Sequence, residues 1–307
     1  VPSAVLQNNP RLSNLLVAPR RGAPLLEQLR FLRGVRASGY DWVLDLFGNP
    51  RSAWVSLLSG APLRAGYAYR VRRWAYTHAV PMNRVRRYQP LVNLGVLEHL
   101  GVPSDGVDTE MFLTPQEREA ARESLKKAGW DPGLGRPRIA LNPSGTWSAK
   151  KWPVAHWREL AAELRRKFDA LPLLLWGPGD EADVNRILEG MPGQVVVAPR
   201  TNLRELAALI GEMDLVIGND GAPQHMAQAL GVSTLTLFGP TWGLSWCRPS
   251  DARHRFLQHF PPCGPCDRTT CPNPTLPRSR GQAHKECLVK IVPSRVATVA
   301  MEMLDQA

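Results

Sequence analysis

The sequence lacks any long apolar run, and this absence limits its class first. No stretch approaches the roughly 20 apolar residues that a membrane-spanning helix needs, and no secretory signal peptide is recognisable at its start. We therefore expect a soluble chain. With 307 residues and 44% hydrophobic content, it is long enough to bury a sizeable core, and we predict two domains.

The sequence is also short of acidic residues. It has 38 Lys and Arg against 27 Asp and Glu, which gives a formal net charge of +11. This excess predicts anionic partners, and charge alone leaves nucleic acid, phosphorylated small molecules and acidic membrane surfaces open.

Two common nucleotide-binding motifs are missing. No GxGxxG follows a predicted strand, and no GxxxxGK[ST] occurs anywhere in the chain. Both the standard dinucleotide-binding site and the P-loop are therefore disfavoured.

Cysteine is scarce, and four of the five cysteines lie close together at positions 263, 266, 271 and 287. Without an export signal, reduced thiols or a metal are favoured over disulfides. The spacing C-x2-C-x4-C-x15-C is compatible with a structural zinc or iron–sulfur site at Cys263, Cys266, Cys271 and Cys287. Packing or disulfide cysteines are the alternative, and we predict no metal and no cofactor.

The chain does contain a repeated βα pattern. Its clearest unit is LVIGNDGAPQHMAQALGVSTLTLFGP (215–240), which has an apolar run, a polar turn, a short helical pattern and a second apolar run. That order predicts a parallel βαβ unit. Similar units run through residues 138–210, whereas the segment before residue 68 starts with a predicted strand at 13–18 and continues with WVLDL (42–46). The pattern predicts an α/β fold with doubly wound sheets.

Polar residues follow three of the predicted strands, at 144–150, 177–181 and 218–225. Parallel strands bring these loops to one edge of the sheet, where helix N-termini favour anions. A nucleotide diphosphate suits the set, with Lys150 at the phosphates and Glu181 at ribose hydroxyls. The alternatives stay open: Asp220 as a helix cap, Lys150 as a surface lysine, His225 as an ordinary first-turn histidine and Glu181 as a helix-dipole carboxylate.

Cations and aromatic residues crowd the stretch 64–87. Such a mixture suits nucleic acid or a phosphorylated saccharide, although charge runs are usually solvated loops. From this segment and the strand end before it we predict a set of acceptor-binding residues: Asn49, Arg51, Arg70, Arg72 and Arg73.

Three motifs, taken together, resemble glycosyltransferase family 9, the heptosyltransferases that use ADP-heptose to build the inner core of lipopolysaccharide. They are NPSGTWSAKKWP (142–153), GNDGAPQHMAQALG (218–231) and TLTLFGPT (234–241). DWVLDLFGNPRSAWVSLLSGAPLRAGY (41–67) resembles a strand and helix of the family's amino domain, and the tail CGPCDRTTCP is similar to that of the second heptosyltransferases.

The resemblance implies a GT-B fold, with two Rossmann-like domains that face a cleft. It places Lys150 at the diphosphate, where it stabilises the leaving group, Glu181 at the ribose, and Asp220 with His225 at the sugar and phosphates. The donor site that we predict consists of Ser144, Gly145, Thr146, Lys150, Glu181, Asp220, Gly221, Ala222 and His225. The family's reaction inverts the anomeric carbon and uses an Asp as the general base.

The sequence departs from the family at two places. Asp220-Gly221-Ala222 stands where the family usually has Asp-Thr-Gly, which removes a hydroxyl from the donor site. The amino end also lacks the family's first βα unit, whose loop carries the base. We therefore assign no catalytic base, and Asp45 does not match its position.

These observations predict an acceptor-side domain at 1–132, a nucleotide-sugar domain at 133–292, and a terminal helix at 293–307 that packs back on the amino domain. The predicted activity is metal-independent, inverting heptose transfer from ADP-heptose to a phosphorylated lipid A-core acceptor. It would occur on the anionic cytoplasmic face of the inner membrane, with no nucleic acid partner. The alternatives are another nucleotide sugar, or a non-enzymatic nucleic-acid-binding protein with a cysteine metal site.

Overall fold

The computed structural model describes residues 2–69, 72–82, 87–130, 136–189, 191, 193–248, 251–271 and 285–306. Contacts divide the chain into two compact units, Asn14–Asp108 and Val1–Ser13 with Thr109–Ala307. The domain boundaries predicted from the sequence stay predictions beside this division. No helix among the described residues is both long and apolar enough to cross a membrane.

The smaller unit contains a parallel three-stranded sheet in the order β1-β2-β3. Helix α2 connects the first two strands and starts at a capping box, in which Asn49 and Ser52 exchange side-chain-to-backbone hydrogen bonds. The elements of this unit are α1 (Leu25–Ala37), β1 (Trp42–Asp45), α2 (Pro50–Leu58), β2 (Leu63–Tyr67), β3 (His78–Val80) and α3 (Gln89–His99).

The strand predicted at 13–18 is wrong. None of the described strands pairs with this segment, and Leu16 and Val17 are about half exposed, at 46% and 55%. An apolar run forms a strand only where a neighbouring strand satisfies its backbone, and the run alone carries no information about that neighbour.

The larger unit contains a six-stranded, fully parallel sheet in the order β6-β5-β4-β7-β8-β9. Its elements are α4 (Pro115–Lys127), β4 (Ile139–Asn142), α5 (Val154–Phe168), β5 (Leu173–Leu174), α6 (Glu181–Leu188), β6 (Val196–Val197), α7 (Leu203–Ile210), β7 (Leu215–Asn219), α8 (Ala222–Ala229), β8 (Ser233–Phe238), β9 (His254–Gln258), α9 (Glu286–Val289) and α10 (Pro293–Leu304).

Helices cover both faces of this sheet, as parallel sheets require. One core places α5, α6 and α10 against it, and the other places α4, α7 and α8 there. Helix α5 packs one apolar face into the first core, where Trp157, Leu160 and Leu164 are fully buried. Strands β4 and β7 approach closely at Gly218, where an added Cβ would lie 2.9 Å from the Cβ of Asn142.

Because all six strands are parallel, their carboxyl ends lie on one edge of the sheet. The loops after β4, β5, β7 and β8 therefore share that edge. These four loops carry the candidate site.

An ion pair joins α4 to α7 on the second face. Arg204 donates from Nε and Nη2 to the two carboxylate oxygens of Glu117, at 2.8 and 2.6 Å, and Nη2 also donates to the carbonyl of Phe112. The Arg204 hydrogen bonds hold the pKa of Glu117 down at about 2. Because the folded-state pKa lies below the ordinary value of 4.5, the stabilisation is complete above that value and is lost as the pH falls towards 2.

We expect Glu117→Gln to lower the free energy of unfolding by about 2 kcal/mol at pH 7, because Arg204 loses its carboxylate partner while the cap of α4 keeps an acceptor. The difference from the wild type should shrink below pH 4.5, as measured by urea unfolding from pH 7 to 3. Glu123→Gln, on an exposed position of α4, is the matched control. A pH-independent difference would contradict the role of the ion pair.

Candidate functional site

Two adjacent lysines after β4 contact different partners. Lys150 ends the short 3-10 helix Ser148–Lys150, and Lys151 is its C-cap. Lys150 Nζ lies 2.6 Å from Asp220 Oδ2 in the loop after β7. Lys151 Nζ contacts Asp180 at 3.3 Å and Asp183 at 2.7 Å, at the start of α6. The first lysine therefore joins the loops after β4 and β7, and the second fastens the same turn to the loop after β5.

The Lys150–Asp220 pair is largely shielded from water. The side chains are 16% and 4% exposed, respectively. Lys150 Nζ also lies 4.4 Å from the centre of the Trp147 ring, close enough for a cation–π interaction. A partly buried ammonium beside a helix start is a strong anion ligand, because little water screens its attraction for an anion.

The Asn219 side chain connects the end of β7 to the loop after β4. Its Nδ2 donates to the carbonyls of Pro143 (2.7 Å) and Ser144 (3.3 Å), and its Oδ1 accepts from the backbone N–H of Trp152 (3.1 Å). The side chain is completely buried. One amide thus fixes both ends of the Lys150 turn relative to the end of β7.

His225 lies in the first turn of α8, with its ring 5.6 Å from that of Trp246. Burial lowers the pKa of His225 below its ordinary value of 6.5. Asp220 and a hydrogen bond that the imidazole donates to Gln228 oppose this shift, whereas Lys150 adds to it. The free chain therefore carries a neutral imidazole near pH 7.

The other predicted donor residues surround this pair less closely. Glu181 is exposed at the start of α6, and its carboxylate accepts the backbone N–H of Gly179 at 2.8 Å. The structure thus gives Glu181 a local loop contact, and Asp180 and Asp183 are the acids of this loop that contact a lysine. Thr146 is exposed after β4.

The remaining positions lie at the loop backbones. Ser144 and Gly145 are half-buried after β4. Gly221 is the N-cap of α8 and Ala222 its first residue. The structure brings Lys150 and Asp220 together, and the ligand roles of all nine predicted donor residues stay predictions.

In the smaller unit, the predicted acceptor residues have local structural contacts. Asn49 caps α2, Arg51 Nη2 donates to the carbonyl of Pro19 at 2.6 Å, and the Arg72 guanidinium lies 4.9 Å from the Tyr69 ring centre. Arg73 is exposed in the turn Arg73–Ala75, and Arg70 lies outside the described residues. Their role towards an acceptor stays a prediction.

Asp45 has a structural role that accounts for its place at a strand end. Its Oδ1 accepts the N–H groups of Phe47 and Gly48, and its Oδ2 accepts the Tyr76 hydroxyl at 2.7 Å. Burial and this hydrogen bond raise the pKa of Tyr76, so the phenol remains a donor. Asp45 holds the β1–α2 turn.

The four clustered cysteines line one cavity of about 140 Å³ together with Lys285. None of the chain's cysteines, all in the described residues, forms a disulfide, and burial raises the pKa of Cys287 to about 11. Within the described part of the chain, no group of three His, Cys, Asp or Glu side chains is arranged to hold a metal. The absence of a metal at the cysteine cluster therefore stays a prediction. This segment does brace the site, since the Thr269 carbonyl accepts the N–H of Ala149 at 3.1 Å.

The sequence reasoning missed Asn219 and Thr241 as members of the site. Thr241 Oγ1 donates to Asp220 Oδ2 at 2.6 Å. Its position directly after β8 was the available signal, because that loop shares the edge with the other three. Asn219 lies within the predicted polar loop 218–225 but received no role there, whereas in the structure it is the last residue of β7.

Comparison with known proteins identifies the family. A family model described as glycosyltransferase family 9 (heptosyltransferase) matches residues 28–276. The chain belongs to glycosyltransferase family 9. It is therefore a glycosyltransferase, and the non-enzymatic nucleic-acid-binding alternative is wrong.

Curated relatives agree with this family. Lipopolysaccharide heptosyltransferase 1 of Pseudomonas aeruginosa is 29% identical over 294 residues, which cover 91% of this chain and 78% of that protein. Lipopolysaccharide heptosyltransferase 3 of Escherichia coli is 28% identical over 256 residues, with 79% and 73% covered.

Solved structures of family members share the fold. The family 9 glycosyltransferase from Veillonella parvula DSM 2008 matches with a TM-score of 0.75 at 20% identity, over 99% of this chain and 85% of that one. E. coli ADP-heptose lipopolysaccharide heptosyltransferase II matches with 0.67 at 20% identity, over 90% and 80%. E. coli heptosyltransferase WaaC, solved with ADP-2-deoxy-2-fluoro heptose, matches with 0.61 at 20% identity, over 92% and 80%. The predicted α/β GT-B fold class is confirmed.

Proposed function

We propose that this family 9 glycosyltransferase moves heptose from ADP-heptose to the inner core of lipopolysaccharide, with inversion at the anomeric carbon and without a metal ion. The observation that carries the proposal is the shielded Lys150–Asp220 pair at the start of α8, with a 2.6 Å contact. Both curated relatives named above are lipopolysaccharide heptosyltransferases, and the E. coli heptosyltransferase WaaC was solved with ADP-2-deoxy-2-fluoro heptose.

The chemistry of the donor half follows from charge. As the bond between the anomeric carbon and the diphosphate oxygen breaks, the electron pair stays on ADP and negative charge grows on the phosphates. Lys150 and the unpaired N–H groups at the start of α8 supply fixed positive charge there. A preorganised ammonium can thus take the place that a divalent cation has in other nucleotide-sugar enzymes.

The acceptor half needs an attacking hydroxyl on the opposite face of the sugar and a base that takes its proton. We assign that base to no residue of this sequence. The charge of +11 supports a phosphorylated lipid A-core acceptor at the anionic cytoplasmic face of the inner membrane. Because Gly221 and Ala222 replace the family's usual Thr-Gly, another nucleotide sugar is the second candidate donor.

The proposal is tested by incubating the chain with ADP-heptose, heptose-free lipopolysaccharide and EDTA, while ADP release and heptose incorporation are measured. We expect both products with ADP-heptose and neither with UDP-glucose or GDP-mannose. Transfer only from another nucleotide sugar would replace the donor, and a requirement for Mg²⁺ would contradict the metal-free mechanism. Binding of ADP without heptose transfer would support donor binding and would contradict the proposed transfer reaction.

The neutral His225 leads to a prediction about pH. A bound diphosphate places negative charge beside the imidazole and raises its pKa, so binding takes up a proton. ADP affinity should therefore rise as the pH falls through the pKa of the complex, and level off below that of the free chain.

Calorimetry in two buffers of different protonation enthalpy, between pH 6 and 7.5, measures this uptake. We expect less uptake in His225→Gln than in the wild type, with ADP's own titration common to both. Equal uptake in the two proteins would show that His225 does not face the diphosphate.

A further inference from the structure

The loop after β8 is a fourth strand-end loop at the candidate site, and it carries the end of the motif TLTLFGPT (234–241). It carries Thr241, which is 5% exposed, directly to Asp220, and the hydroxyl donates to Oδ2 over 2.6 Å. The same oxygen lies 2.6 Å from Lys150 Nζ in an ion pair. Among the described residues, none donates a hydrogen bond to the other oxygen, Oδ1.

The loop is held rigidly from two sides. Gln258, at the end of β9, donates from Nε2 to the carbonyls of Thr241 (2.5 Å) and Gly239 (3.3 Å), and its Oε1 accepts the N–H of Gly243 at 3.0 Å. At Gly239, an added Cβ would lie 2.9 Å from Leu288 and 3.2 Å from the Ala149 carbonyl. The loop therefore packs against the residue that precedes Lys150.

The two carboxylate oxygens of Asp220 therefore have different roles. Oδ2 is occupied inside the protein, whereas Oδ1 keeps its lone pairs. A nearly buried carboxylate needs such a fixed donor, because an unpaired buried charge is costly. When an incoming phosphate draws Lys150 towards itself, the Thr241 hydroxyl is the protein donor that stays on Oδ2.

We propose that Thr241 is a positioning residue that acts through Asp220. Resting on the proposed function, it fixes the carboxylate so that Oδ1 accepts a hydroxyl of the bound sugar while Lys150 contacts the diphosphate. Gln258 supports Thr241 by fixing the loop backbone. Thr241 itself need not touch the donor.

The test compares Thr241→Val, which keeps the side chain's shape, with Thr241→Ser, which keeps the hydroxyl. We expect Thr241→Val to weaken ADP-heptose binding about tenfold, since the carboxylate that accepts the sugar hydroxyl loses a hydrogen bond. Binding of ADP, which lacks the sugar, should change by less than about twofold, and Thr241→Ser should stay within about twofold for both ligands. Thr234→Val is the matched control, because it removes a buried hydroxyl next to His254 (3.2 Å) at the other end of β8.

A double-mutant cycle separates positioning from a general loss of structure. In an Asp220→Ala background, Thr241→Val should have less than about a twofold effect, because the side chain that accepts its hydroxyl is gone. Melting temperatures of all variants show whether they fold. Wild-type affinity for ADP-heptose in Thr241→Val, or the same loss in both backgrounds, would overturn the assignment. Failure of the wild type to bind ADP would instead overturn the proposed function, and this assignment with it.

Discussion

Lys150→Ala should weaken ADP binding by about 100-fold or more, close to 3 kcal/mol, and should abolish the rise in melting temperature that ADP causes. Lys150 is the cation that contacts Asp220 at the anion-binding edge, and it is only 16% exposed. Water therefore replaces its charge poorly. Loss of a buried, hydrogen-bonded charge from a binding site typically costs about 2–5 kcal/mol.

Two further variants keep this result interpretable. Lys127→Ala, on an exposed position in the last turn of α4, removes the same charge from the same unit and should bind ADP normally. The double variant Lys150→Ala/Asp220→Asn removes the carboxylate that Lys150→Ala leaves unpaired, so it should recover stability without recovering ADP binding. Normal ADP binding in either variant that lacks Lys150 would contradict its role at the diphosphate.

Asn219→Ala should lower the free energy of unfolding by about 3 kcal/mol and should also remove measurable ADP binding. Its fully buried amide makes three hydrogen bonds, to Pro143, Ser144 and Trp152. Truncation leaves backbone groups of two loops without a partner, and each unsatisfied buried group costs about 1–3 kcal/mol. The turn that carries Lys150 then loses its fixed position.

Chemical unfolding and ADP calorimetry measure the two effects of Asn219→Ala together. Asn185→Ala, on the exposed side of α6, is the matched control and should stay within about 0.5 kcal/mol of the wild type. A loss below about 1 kcal/mol for Asn219→Ala would show that the loops hold their positions without this amide.

Much of the larger unit could be predicted from the sequence, because its central strands are buried on both faces and its helices are amphipathic. The run LVIGN reads as a strand from composition alone, and α5 from its periodicity. The order of the loops along the sheet edge follows from parallel pairing. For this reason the meeting of the loops after β4 and β7 was predictable.

The finer assignments were not predictable. Lys150 and Lys151 are identical in the sequence, and only the 3-10 turn decides which contacts Asp220. The pairing of Thr241 with Asp220, and of Gln258 with Thr241, depends on the register of β7, β8 and β9, which local patterns do not encode. The strand prediction at 13–18 was wrong for the same reason, since a strand forms only when a segment distant in the sequence pairs with it.

The central claim is that this sheet edge binds the ADP part of the donor through Lys150 and without a metal ion. Titration calorimetry of ADP into the wild-type chain in the presence of EDTA tests it most directly. The account predicts saturable binding of one ADP per chain, lost in Lys150→Ala and kept in Lys127→Ala. Binding that appears only when Mg²⁺ is added, or that survives in Lys150→Ala, would contradict it.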